Sequence, residues 1–171
     1  AAVVARLKQE KPELELLDLS PHLSRLRMIK QPPELAAIQS AIDITAASIK
    51  ESTRSAKLKK YAYEYEIEAE LSRGFRRRGA AGHGFEPIVA GGARACTLHN
   101  VANSGALSAD ELVLLDVGAE VDHYSADITR TVAISTPSKR QQTVFDAVLD
   151  VQAFAFDLLR VGVLLKEYEQ Q

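Results

Sequence analysis

The segment from Glu111 to Ile134 constrains the fold more than any other part of the sequence. Leu112-Val113-Leu114-Leu115 is an apolar run of strand-forming residues, and Tyr124 to Ile134 is rich in β-branched residues. Asp122-His123 lies between them, a two-residue connection of the kind that joins antiparallel strands. The expected element is a hairpin with strands over Glu111–Val121 and Tyr124–Ile134. Asp116 follows directly on the apolar run and Asp127 falls in the returning strand, so the hairpin can turn both carboxylates to one face.

Elsewhere the periodicity is helical. Pro32-Pro33-Glu34 suits the first turn of a helix, with Glu34 at the positive end of the dipole. Leu35, Ile38, Ile42, Thr45 or Ala46, and Ile49 then share a face, and the helix is expected to run to about Lys57. A second helix is expected over Glu64–Arg78, with Tyr63, Ile67, Leu71 and Phe75 stacked and Gly79 ending it. Thr136-Pro137 is expected to cap a third helix, with Val144, Val148, Val151, Ala155 and Leu158 inward and Gly162 closing it. Phe85–Ala90 reads as a strand and Gly91-Gly92 as a turn. Upstream, Val3, Val4 and Leu7 form a helical stripe, Leu14–Leu19 alternates like a short strand, and Ser20-Pro21 breaks it. Helices against one face of an antiparallel sheet make an α+β layer.

The chain has 171 residues, a net charge of -2 and one cysteine. That balance gives no drive toward nucleic acid or acidic membranes, and no apolar run is long enough to span a bilayer. Cys96 cannot form an internal disulfide and reads as a small strand residue; with no signal peptide visible, a reducing, cytoplasmic setting is expected. Arg73, Arg76, Arg77 and Arg78 follow Glu64, Glu66, Glu68 and Glu70, which reads as a solvated helix matched to its dipole rather than a nucleic-acid surface. The start at Ala1-Ala2 without Met, and the stop at Glu169-Gln170-Gln171 inside a helical pattern, are expected to mark a piece of a longer protein.

Two carboxylates at close range repel unless a cation lies between them. A divalent metal resolves that conflict, since hard oxygen ligands suit Mn, Mg, Zn or Co. The competing reading pairs one aspartate with Arg130 or uses it to cap a turn. At these residues the sequence resembles the Xaa-Pro aminopeptidase and prolidase family, metallopeptidases of the pita-bread fold. Asp116-Val117-Gly118, then Asp127-Ile128-Thr129-Arg130-Thr131, is similar to that family's metal hairpin. Leu26-Arg27-Met28-Ile29-Lys30 with Pro33-Glu34 resembles the start of its catalytic domain. Ile88-Val89-Ala90-Gly91-Gly92 with Leu98-His99 resembles its substrate-side strands.

The resemblance implies a partial pita-bread domain over 30–171, its first half, preceded over 1–29 by the tail of an N-terminal domain. It implies two divalent metal ions, manganese first, with cobalt or zinc as alternatives. Asp116 would chelate one ion and Asp127 would bridge both, while a histidine and two glutamates further along the family's chain complete the set. His99 would line the substrate pocket as a catalytic residue; without the resemblance it reads as structural. Of the other histidines, His83 is expected in an exposed loop, and His22 and His123 are expected to be uninvolved. One of Thr129 and Thr131 is expected to hydrogen-bond behind the metal ligands. The implied substrate is a peptide with proline at its second position, hydrolysed by two-metal chemistry. Xaa-Pro dipeptidase and methionine aminopeptidase are the enzymatic alternatives, and a non-catalytic peptide- or protein-binding module is the alternative from another class. With only two ligands in the chain, it is expected to be inactive alone, and a halved sheet is expected to aggregate, form a homo-oligomer or meet the rest of its protein.

Overall fold

Ile67, Leu71 and Phe75 recur at helical spacing, and all three are fully buried on helix α5, Glu64–Arg77, within a residue of its expected span. The computed structural model describes residues 2–169. Gly79 follows α5 with φ +92°, the left-handed conformation that ends a helix and that glycine adopts without steric cost.

The chain divides into two units, Ala1–Ala36 and Ala37–Gln171. In the first, α1 spans Ala2–Glu10 and α2 spans Ser20–Met28, with Pro21 in its first turn. The expected strand over Leu14–Leu19 does not form: the segment is irregular and Leu17 is 75% exposed. A short alternating run without a partner strand cannot satisfy its backbone groups in a ladder.

Helix α3, Pro32–Ser52, continues into the second unit, where a short α4, Ser55–Leu58, follows instead of an unbroken helix to Lys57. Its buried face keeps Thr45 and Ile49 of the expected stripe but is otherwise built from small residues. Ala37, Ala41, Thr45, Ser48, Ile49 and Ser52 are buried, while Leu35 is 55% exposed. Small residues win because the neighbouring backbone comes close. A Cβ added at Gly74 of α5 would lie 2.7 Å from Ser48 Oγ. The Thr45 hydroxyl accepts from the Ala119 amide (2.9 Å) and donates to the Ala41 carbonyl (2.7 Å), so a polar side chain ties α3 to the sheet region.

The strands are β1 Gly82–His83, β2 Ile88–Gly91, β3 Leu112–Val117, β4 Ala119–Val121, β5 Tyr124–Ser125 and β6 Ile128–Ala133. They form two antiparallel sheets, ordered β2-β3-β6 and β1-β4-β5. The hairpin forms as expected, and its Asp122-His123 turn has φ +48° and +67°, the two positive values of a type I′ connection. Its arms are not continuous strands, however. Both break, at Gly118 and at Ala126-Asp127, so the hairpin contributes to both sheets. Val113, Leu115 and Val117 are fully buried with Ile49, Leu58, Ile67, Leu71, Phe75 and Val89. Leu112, Leu114 and Asp116 alternate with them on the opposite, half-buried face. Helices with antiparallel sheets make the chain α+β.

Helix α6, Lys139–Leu158, starts later than Thr136-Pro137. Ser138 is the cap, its Oγ accepting from the Gln141 amide, and the Gln141 side chain returns a bond to the Ser138 amide. The inward face expected for Val144, Val148 and Val151 is not seen: they are 52%, 61% and 66% exposed, and no residue of α6 is buried. Sequence periodicity identified an apolar stripe but not whether anything in this chain covers it. The helix ends at Leu158, ahead of Gly162, and a short α7 spans Leu165–Tyr168.

The arginines of α5 are not simply solvated. Glu51 of α3 receives Arg78 (2.8 Å), Arg77 (2.9 Å) and Arg73 (3.2 Å), with Lys57 at 3.6 Å. The Arg78 hydrogen bond, aided by Arg73, Arg77 and Lys57 and opposed by partial burial, holds Glu51 down at about 2 from an ordinary 4.5. A carboxylate depressed on folding stabilises the fold above its unfolded value and loses that contribution as pH falls through the folded one. Melting temperature is therefore expected to fall between pH 4.5 and about 2, and Glu51→Gln is expected to flatten that slope in thermal melts.

Candidate metal centre

The register of the sheet places the acidic residues. Asp116 of β3 stands opposite Thr129 of β6 on one side and Ile88 of β2 on the other. Opposed residues share a face and alternate along each strand. Ile88, Ala90, Leu114, Asp116, Thr129 and Thr131 therefore lie on one face, away from the helix-packed core. Asp127 immediately precedes β6, and its carboxyl feels the Asp116 charge. Arg130 has the opposite parity, and its guanidinium donates to the Thr129 carbonyl at 2.7 Å. That parity removes Arg130 as the counterion of either aspartate.

The electrostatics of the pair are unfavourable as it stands. Asp127 is exposed overall, yet its carboxyl is held above the usual range, first by partial loss of hydration, then by the Asp116 charge. Asp116 is half-buried, and its Oδ1 is enclosed without a hydrogen-bond partner. A shielded carboxylate oxygen lacking a donor, beside a second carboxyl, is the donor chemistry a hard divalent cation satisfies. The residues thus fit a metal, although the described residues include no group of three or more His, Cys, Asp or Glu able to hold one.

Gly118 makes this geometry accessible. A Cβ there would land on the Ala126 carbonyl oxygen and come within 2.9 Å of the Phe85 ring. The Gly84 amide donates to the Gly118 carbonyl at 2.9 Å, so a third segment is seated against the break between the aspartates.

His99 is not brought into a ligand group with Asp116 and Asp127. It sits exposed at φ +54° in the turn after the 3₁₀ segment Gly92–Cys96. Cys96 is exposed in that segment rather than placed in a strand. His83, expected in an exposed loop, is instead half-buried in β1. Its Nε2 is 2.7 Å from Ser72 Oγ, its ring meets Phe75 edge-on, and its Nδ1 is enclosed without a partner. Burial holds its pKa down, against the opposing charge of Glu68. His123 at the hairpin tip and His22 on α2 are exposed.

Two residues around the site escaped the sequence reading. Glu64, grouped there with solvated acids, is 1% exposed, and Asn103 is 2% exposed. Burial raises the Glu64 pKa, but hydrogen bonds from Gly91, Arg94 and Gly105 outweigh it and leave the carboxyl below its ordinary value. The available signal was positional: Glu64 lies seven and eleven residues before Leu71 and Phe75, on the same helical stripe.

The chain belongs to metallopeptidase family M24, whose family model it matches over residues 36–171. Among its relatives, the Xaa-Pro aminopeptidase of Haemophilus influenzae is 37% identical over 90% of this chain and 35% of that protein. The Xaa-Pro dipeptidase of Pyrococcus furiosus is 28% identical over 98% of this chain and 48% of that protein. The chain therefore spans between about a third and a half of the length of these relatives. Among solved structures, the X-Pro aminopeptidase of Thermotoga maritima superposes with TM-score 0.83 at 29% identity, over 95% of this chain and 46% of that one. Zinc-substituted aminopeptidase P of Escherichia coli, in complex with product, gives 0.76 at 32% identity, over 84% and 32%. The fold is that of the pita-bread aminopeptidases.

Proposed function

We propose that this chain supplies the first part of the catalytic domain of a metal-dependent Xaa-Pro aminopeptidase, with residues 30–171 as that part and 1–29 as the tail of a preceding domain. The observation that carries the reading is the partnerless, enclosed Oδ1 of Asp116 beside Asp127. The family membership and the names of the relatives support it. Asp116 and Asp127 would hold two divalent ions, manganese first, which when bound polarise the scissile carbonyl and activate water. Asp116, near the end of β3, and Asp127, immediately before β6 and exposed, would hold the ions at the breaks of the hairpin arms. His99, on its exposed turn, would hydrogen-bond the peptide substrate. The remaining ligands would come from the rest of the protein, so these residues alone would bind metal weakly and cleave nothing. The free thiol of Cys96 supports a reducing compartment, and no helix of the described residues is long and apolar enough to cross a membrane.

The dipeptidase relatives support a second reading on the same site, in which the substrate is limited to two residues. Metal analysis and peptide assays of the full-length protein decide. The expected result is bound divalent metal and manganese-stimulated release of the first residue from an Ala-Pro-type tripeptide. Cleavage of Ala-Pro alone selects the dipeptidase, and intact protein without metal or cleavage removes the enzymatic reading.

A further inference from the structure

β2 is an edge strand of its sheet, bonded to β3 on one side. Its other side is not left open, although no strand lies there. The Asn103 side chain accepts from the Val89 amide (2.8 Å) and donates to the Pro87 carbonyl (2.9 Å). Glu64 Oε1 accepts from the Gly91 amide at 2.7 Å. Two side chains thus take the place of a neighbouring strand along the outward groups of residues 87, 89 and 91. Such groups are costly to leave unpaired in a buried setting.

The same two side chains also hold the loop that leaves β2 and returns to β3. Glu64 Oε1 accepts from Arg94 Nε (2.6 Å) at the start of the loop, and Oε2 accepts from the Gly105 amide (2.7 Å) near its end. The Gly105 carbonyl accepts the Glu64 amide in return (3.0 Å), and Arg94 also donates to the Ala106 carbonyl (2.6 Å). Asn103, at φ +45°, donates its amide to Glu68 Oε2 at 2.8 Å, one turn further along α5. A Cβ at Gly105 would collide with the Arg94 guanidinium. Between these clamps, residues 97–102 form a mostly exposed excursion, with Leu98 86% exposed and His99 beside it.

We propose that Glu64, acting with Arg94 and Asn103, is a positioning residue for His99: it fixes both ends of the 97–102 excursion to β2, the strand that sets Ile88 opposite Asp116. The path from histidine to metal-side aspartate then runs through one strand and one buried carboxylate. Charged acceptors bonded to backbone amides are the strong and geometrically demanding kind of hydrogen bond, suited to this task. The role of His99 rests on the function proposed above; the clamp itself rests on the bonds just described.

The test uses the full-length protein, metal-free for amide exchange and resonances and manganese-loaded for kinetics, with Glu64→Gln, which places an amide donor among donors, and the milder Arg94→Gln, in case the first folds poorly. Amide exchange across 97–102 is expected to rise about tenfold or more, as for a locally loosened segment, and the His99 imidazole resonances are expected to shift. Against an Ala-Pro-type tripeptide, kcat is expected to fall about 10- to 100-fold with a smaller change in KM. Glu64→Gln is expected to add little once His99→Ala is present, because both act through one group. Unchanged exchange and an unchanged His99 resonance in both variants overturn the proposal. So do kinetic effects of Glu64→Gln and His99→Ala that simply multiply. If the wild-type protein cleaves no peptide, the functional reading fails, while exchange and resonances still decide the clamp.

Discussion

Replacing Asp116 with asparagine is expected to lower metal-dependent cleavage by the full-length protein by roughly a hundredfold or more, and to raise the melting temperature of the same protein stripped of metal. The two effects share one cause. In the metal-free fold, Asp116 presents an enclosed oxygen without a donor and stands against Asp127, whose carboxyl is destabilised in its charged form. An asparagine amide is nearly isosteric, carries no charge and can donate to Asp127. Removing a like-charge contact at an exposed carboxyl is worth about 1 kcal/mol or less, a rise of about 1–2 °C at most in a protein as long as the relatives. With metal present the sign reverses, because only the wild type gains stability from binding. The loss of activity is set at a hundredfold or more because residues that merely support metal ligands cost about 10- to 100-fold when changed. Calorimetry with and without chelator separates the terms. A metal-free D116N protein that melts below wild type refutes the electrostatic argument, and one that keeps its full metal content refutes the ligand role.

The parts legible in the sequence are those where one physical signal dominated. Helix α5 was readable because Ile67, Leu71 and Phe75 are large, apolar and correctly spaced, with Gly79 to stop the helix. The hairpin was readable because an apolar run and a β-branched run flank a two-residue turn. The face of α3 was legible in part: Thr45 and Ile49 of the expected stripe are buried, but close approach to α5 selects small residues beside them, and Ala37, Ala41 and Ser48 are buried while Leu35 is exposed. Hydrophobicity alone ranks those residues the wrong way. Helix α6 shows the converse, with an apolar stripe present but uncovered. In the site, the apolar run and the two-residue turn suggested that Asp116 and Asp127 could share a face, but the arm breaks at Ala126-Asp127, so alternation alone does not set their approach. The clamp of Glu64 and Asn103 was not legible, because a buried polar residue looks like a surface one until its partners, here backbone groups up to 41 residues away, are placed. His83 failed for the same reason: a histidine between two glycines gives no hint of Phe75 and Ser72 folding over it.

Gly118→Ala is expected to be the other severe substitution, costing about 3 kcal/mol or more of stability and lowering metal affinity together with it. Gly118 is buried, and its backbone is not in the left-handed region, so conformational freedom is not the reason glycine is needed. The reason is space. The added methyl carbon would lie 2.6 Å from the Ala126 carbonyl carbon and still closer to its oxygen, and these are backbone atoms that cannot rotate away. Relief requires the two arms of the hairpin to separate where Asp127 follows Ala126. Gly118 also receives the Gly84 amide at its carbonyl, so the shift would spread to the segment joining β1 and β2. A contrasting substitution isolates the cause. Gly79→Ala has nothing within 4 Å of its Cβ but a φ of +92°, so it is expected to cost only about 1 kcal/mol of backbone strain and to leave metal binding intact. Chemical denaturation and metal titration of both variants provide the check. If G118A binds metal as tightly as wild type, the arms of the hairpin can part without moving Asp116 and Asp127 relative to each other, and the close approach at Gly118 serves packing alone.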